Sequence, residues 1–126
     1  MEEVKMYGFE KLEVWQKTRK FVKRIYELTA TYPPEEKFGL AQHTRKSAIS
    51  ALSAIAEGSS RFSKVDFKRY IQISLGSLYE TVTQLFVALD NDFLTQRAFN
   101  ELYSESENIA KMLCNLSKSQ SIDNRL

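Results

Sequence analysis

Apolar residues recur every three to four positions in four separate stretches of this chain, and short breaks containing Pro, Gly, Asp and Ser part the stretches. That period is the repeat of an α-helix, where residues three and four apart share one face. A chain patterned in this way must bury four apolar stripes, and the simplest solution is to pack them against one another.

The first helix is expected over about residues 14–31. Val14, Trp15, Thr18, Phe21, Val22, Ile25, Tyr26, Leu28 and Thr29 fall on one arc, with Gln16, Lys17, Arg19, Lys20, Lys23, Arg24 and Glu27 opposite. Tyr32-Pro33-Pro34 stops it, because Pro lacks the N–H that continues the ladder. The second helix, 40–57, follows a turn of Pro34, Glu35 and Glu36 from which Gly39 parts it. Its arc of Leu40, Ala41, Ala48, Ala51, Leu52, Ile55 and Ala56 is rich in small residues, so a neighbouring helix can come close. Gly58 is expected to end it in the left-handed conformation.

The third helix, 64–89, has Ser63 as N-cap and places Phe62 and Phe67 at the two positions of a hydrophobic staple. Its stripe is Phe67, Ile71, Ser74, Leu75, Leu78, Val82, Leu85 and Leu89, and Asp90-Asn91-Asp92 ends it. The fourth helix, 96–117, starts behind Thr95 with Leu94 and Phe99 as a second staple. It buries Phe99, Leu102, Tyr103, Ser106, Ile109, Ala110, Leu113 and Leu116, and the polar tail 118–126 is expected to fray. Connections of roughly four to eight residues favour antiparallel neighbours. The expected architecture is therefore all-α, one domain over residues 1–126 forming an up-down-up-down antiparallel four-helix bundle. At 126 residues such a domain buries enough surface to fold without disulfides or metal.

Composition narrows the chemistry. The chain has one Cys and one His, which leaves no disulfide framework and no Cys/His zinc site. No Glu-x-x-His occurs, the motif that carboxylate metal sites in bundles use. His43 lies on the polar side of the second helix among Lys46, Ser47 and Ser50, with no oriented nucleophile or oxyanion donor implied beside it. Gly76-Ser77 falls in mid-helix and lacks the glycine-rich turn of a phosphate loop. Cys114 reads as a small half-buried hydrophobe at a stripe edge. No catalytic residue, cofactor, metal or small-molecule substrate is expected. No stretch reaches the ~18 uninterrupted apolar residues of a membrane span, so no membrane partner is expected. The opening MEEVKMYGFEK has no apolar signal core, which makes the cytoplasm the expected compartment.

Three features depart from the pattern. Arg45 projects into the apolar arc of the second helix; it needs either a carboxylate partner, with Glu57 and Glu80 as candidates, or a stem that packs while its head reaches water. On the third helix, Ile73, Gly76, Ser77, Glu80, Thr83 and Val87 make a side that is neither core nor ordinary charged surface, and suits another helix of the bundle or another subunit. The net charge of +2 conceals a polarity: the first helix presents Lys17, Arg19, Lys20, Lys23 and Arg24 outward, and the fourth presents Glu101, Glu105 and Glu107. Those faces can pair within the bundle, pair between copies, or leave the basic one for a phosphate backbone.

Phe9-Glu10-Lys11-Leu12-Glu13-Val14-Trp15-Gln16-Lys17, the turn from Tyr32-Pro33 to Gly39-Leu40, Ile55-Ala56-Glu57-Gly58 with Arg61 following, and Leu75-Gly76-Ser77-Leu78-Tyr79-Glu80 together resemble the family named after the 23S rRNA intervening sequence. The resemblance covers roughly residues 9–117 in the same order. It implies an up-down four-helix bundle and a ring-like homopentamer. A related branch, the accessory protein of diversity-generating retroelements, works with a reverse transcriptase and binds nucleic acid through basic surfaces. The chain departs from the family pattern where Leu52 replaces Pro, Ala54 replaces Asn, His43 replaces Gln, Lys46 replaces Arg and Val82 replaces an acid. Loss of the Pro should straighten the second helix.

The expected function is a non-enzymatic, self-assembling binding or scaffold protein. Arg45, Glu57 and Glu80 would form its polar network, next to Gly76 and Ser77 at an interface. Lys17, Lys20, Lys23, Arg24 and Arg61 would present its basic surface. The alternative is an accessory protein that binds RNA or DNA through those cations.

Overall fold

The computed structural model describes residues 7–123, with side chains through residue 120. A 3-10 turn, Gly8–Lys11, leads into α1 (Glu13–Thr29); a second, Pro34–Glu36, precedes α2 (Leu40–Ser59), α3 (Lys64–Asp90) and α4 (Gln96–Asp123). Each helix packs on the next and α4 closes back on α1, while the backbones of diagonal pairs come nowhere within 8 Å, Cα to Cα, among the described residues. This is the expected all-α four-helix bundle. The four stripes meet in one core, where Phe21, Ile25, Ile55, Ile71, Leu78, Leu85, Leu102, Ile109 and Leu113 are almost wholly buried. Each such side chain removed from water contributes roughly 1.5–3 kcal/mol.

The helix starts follow the local signals. Ser63 Oγ accepts the Asp66 N–H at 3.3 Å, and Thr95 Oγ1 accepts the Ala98 N–H at 3.1 Å. Leu94 and Phe99 are both buried, as a staple requires. Phe62 is not a staple residue: it is fully exposed, and Phe67 lies instead beside Gly58. At the start of α2 the Glu36 carboxylate accepts the Leu40 N–H at 3.3 Å, across the break at Gly39. The second helix is one uninterrupted α-helix through Leu52, where the family pattern has Pro.

The helix ends differ from expectation, each for a physical reason. α1 stops at Thr29, two residues early, because Thr31 N–H turns to Leu28 O and Tyr32 N–H to Thr29 O. That tightening delivers Tyr32 into the interior, its ring 5.6 Å from that of Phe93. Its hydroxyl is buried without a partner, and burial pushes its pKa up to about 12. Gly58 is not a left-handed cap. No described glycine has a positive φ, and α2 runs past it to Ser59. What Gly58 provides is close approach: a Cβ there would stand 2.7 Å from Tyr70 Cβ and 3.0 Å from Phe67 Cδ1.

The left-handed residue is Asp92, with φ 59°, behind α3. Phe93 N–H donates to Ala88 O at 2.9 Å and Asp92 N–H to Leu89 O at 3.0 Å, which makes a Schellman cap with Asp where Gly is usual. α4 does not end at 117 and fray; it continues to Asp123. Gln120 is buried, and its Oε1 accepts from Lys64 Nζ at 3.4 Å, so the last turns pack on the start of α3. Residues 124–126 lie outside the described residues.

Candidate interaction surface

Arg45 sits where α2 crosses the end of α1. Its Nε donates to Thr29 Oγ1 at 2.7 Å, and its Nη2 donates to Tyr26 O at 3.2 Å. The guanidinium also lies 4.6 Å from the centre of the Tyr26 ring. α1 has no cation of its own in its last turn, so Arg45 supplies from α2 the positive charge that the negative end of a helix favours. The expected network of Arg45 with Glu57 and Glu80 does not form within the chain, because the guanidinium is taken up by α1. Glu57 and Glu80 are both exposed. The signal lay in α1, whose last turn offers a hydroxyl and bare carbonyls but no Lys or Arg.

Between α2 and α3 runs a line of hydroxyls. Ser47 Oγ is 2.7 Å from Thr81 Oγ1 and 2.9 Å from Gln84 Oε1, and Thr81 Oγ1 donates to Ser77 O at 2.9 Å. Each hydroxyl has one proton. If Thr81 gives its proton to Ser77 O, the Ser47 proton has Thr81, Gln84 and its own Thr44 carbonyl to choose among. Outside this line, His43, Lys46, Ser47, Ser50 and Glu80 border a shallow cleft of about 310 Å³. His43 is exposed there, and Cys114 is exposed on α4 instead of half-buried. Among the described residues, no three His, Cys, Asp or Glu side chains are grouped to hold a metal.

The odd side of α3 is open, and no other described helix covers it. Ile73 is 45% exposed, Val87 44% and Tyr79 60%, with Glu80 and Thr83 exposed between them. Ser77 is half-buried at its edge. A Cβ built on Gly76 would meet nothing within 4 Å. Along the α3–α4 border, Tyr79, Val82, Tyr103 and Glu107 line an open groove of about 450 Å³. On the far flank, Tyr26, Phe38, Ile49, Lys37, Arg45 and Lys46 line one of about 510 Å³. Neither Phe38 nor Ile49 stands out in the sequence: Phe38 follows Lys37, Ile49 comes one helical turn after Arg45 and Lys46, and only the packing leaves their apolar surface uncovered.

The five expected basic residues do not share one surface. Arg24 bridges α1 to α4, with Nη1 2.7 Å from Glu105 Oε1 and Nη2 3.6 Å from Glu101 Oε1. Lys17 and Lys20 border a cleft that Glu13, Glu105 and Asn108 also line. Lys23 is exposed. Arg61 belongs to the α2–α3 connection, its guanidinium 4.7 Å from the centre of the Tyr70 ring. The acidic and basic arcs thus pair within the bundle at Arg24. No described helix is long and apolar enough to cross a membrane.

A search of curated proteins returns no match. Among solved structures, the chain is similar to a protein of unknown function from the S23 ribosomal protein family of Bacteroides thetaiotaomicron VPI-5482, with a TM-score of 0.77 and 25% identity over 83% of this chain and 95% of that one. The sequence profile of the 23S rRNA-intervening sequence protein family matches residues 10–115. With that match spanning most of its length and the bundle in place, the chain belongs to the 23S rRNA-intervening sequence protein family.

Proposed function

We propose that this protein is a non-enzymatic scaffold that assembles side by side with copies of itself into a closed ring. The observation that carries this is Gly76. A glycine in mid-helix costs about 1 kcal/mol relative to Ala, and no atom of the described residues meets a Cβ built there within 4 Å. It stands in an exposed face with Ile73, Tyr79 and Val87, which suits close approach by something outside the chain.

The two flanks favour a second copy in that place. One groove carries Tyr26, Phe38 and Ile49 rimmed by Lys37, Arg45 and Lys46; the other carries Tyr79, Val82 and Tyr103 with Glu107 and Lys111 at its rim. Two different apolar flanks, one rimmed by cations and the other of balanced charge, make a heterologous contact, which closes into a ring when the rotation allows. Five copies is the number that the family resemblance implies.

Light scattering at micromolar concentration tests this. A mass several times the 14.6 kDa of the chain is expected, and Gly76→Glu should reduce it to the monomer with helix content unchanged. A wild-type monomer would overturn the proposal. Binding of RNA or DNA, as in reverse-transcriptase-associated relatives, is the rival role for Lys17, Lys20 and Lys23. Affinity that falls with salt and disappears when these become Ala would establish it.

A further inference from the structure

Phe62 and Val65 stand at the tip where α2 passes into α3. Phe62 is fully exposed and Val65 is 68% exposed. Phe62 was expected to be covered by Phe67, but the Phe67 ring is committed to the cleft beside Gly58. The tip is framed by cations: residues 60–70 hold Arg61, Lys64, Lys68 and Arg69 against Asp66 alone. Asp66 is 3.6 Å from Arg69. The same end of the bundle adds Lys11 and Lys118, and Glu10, Glu13, Glu57 and Asp123. The opposite end has the reverse sign, with Glu35, Glu36, Asp90 and Asp92 against Lys37 and Arg97.

We propose that this tip is a hook for an anionic lipid surface, Phe62 and Val65 entering the headgroup region while Arg61 and Arg69 meet the lipid charges. Apolar side chains projecting from a basic frame are the elements of interfacial binding. Charge complementarity orients the molecule, since the acidic end faces away. This mode differs from the membrane span that the sequence excludes.

A nucleic-acid strand fits the tip less well. Stacking of successive bases needs several open aromatic faces; Phe62 offers one, Val65 has none, and the neighbouring Tyr70 ring already holds Arg61 at 4.7 Å and Arg69 at 5.0 Å. One hook gives weak binding. If the proposed ring forms by lateral packing, all its hooks point the same way and bind together, a gain that rests on self-assembly.

The test is co-sedimentation of the full chain with vesicles of equal phosphatidylserine and phosphatidylcholine. The protein is expected to bind, less so as salt rises, and the double variant Phe62→Ser, Val65→Ser should lower partitioning about tenfold. Phe62→Trp in a Trp15→Phe background should retain binding, with a blue-shifted emission on the vesicles. No binding by the wild type, or equal binding by the double variant, overturns the hook. So does a double variant that loses a single-stranded oligonucleotide while neither protein binds vesicles. Mass measurement on the same samples separates the two proposals. A wild-type monomer that needs Phe62 to bind vesicles upholds the hook and ends self-assembly, whereas a multimer that ignores vesicles ends the hook alone.

Discussion

The α2–α3 seam and the α1–α4 seam join the same bundle by different means. The first is close: Ala48, Ala51, Ala54 and Gly58 are buried, and Ser47, Ser74 and Thr81 turn their hydroxyls to partners inside it, with a shallow cleft of about 310 Å³ at its outer edge. Ser74 Oγ, for instance, donates to Ala51 O at 2.7 Å. The second borders a cleft of similar size, about 350 Å³, but its cross-link is a half-exposed ion pair. Close packing is sensitive to single atoms, whereas an ion pair in contact with water gains little over its hydrated partners. The α2–α3 seam should therefore hold the fold, and the α1–α4 seam should tolerate change.

The largest test of that contrast is Leu78→Ala, which empties a fully buried position on α3. A loss of about 2–5 kcal/mol is expected in denaturant unfolding. Gly58→Ala follows, with a loss of about 1–3 kcal/mol despite the better helix propensity of Ala, because the added methyl overlaps Tyr70. A neutral or stabilising result would mean that α3 can shift away, and the seam would not be tight. Ser47→Ala should cost about 1 kcal/mol, since Gln84 loses a donor while Thr81 keeps Ser77 O. Arg24→Ala, across the other seam, should cost less than about 1 kcal/mol and progressively less in high salt. A larger loss there would equate the seams.

Tyr32 lies on neither seam and gives a pH-dependent control. Its pKa is raised to about 12 in the folded chain from an ordinary 10, by burial. Between those values the folded state keeps a proton that the unfolded state has released. Stability should therefore be intact below pH 10 and fall as pH rises towards 12. Tyr32→Phe should remove that part of the alkaline loss in a pH series of unfolding curves.

Much of the bundle was legible because period and caps are local. The stripe residues, Ser63 and Thr95 as N-caps, and the break at Gly39 all follow from spacing and side-chain chemistry over a few residues. Gly58 was misread because glycine at a helix end serves equally for a left-handed cap and for close approach, and the choice depends on Tyr70, which arrives from another helix. Arg45 was correctly marked as out of place. Its partner could not be deduced, because Glu57 and Glu80 were the available charges in sequence, while the true acceptors were a hydroxyl and a carbonyl at the end of α1. The basic arc of α1 and the acidic arc of α4 were both present in the sequence. That they meet at Arg24 and Glu105 is a matter of which helices become neighbours.

By itself the sequence determined four helices, their apolar faces and the absence of the common metal and thiol motifs, since each rests on residue type and short-range spacing. Only the tertiary structure decided which surfaces remain open. Exposure is a property of what packs beside a residue, and the same apolar side chain packs against the core at Phe67 and stands in the open at Phe62. The face of α3 around Gly76 and the tip at Phe62 are two such surfaces, left open by the packing.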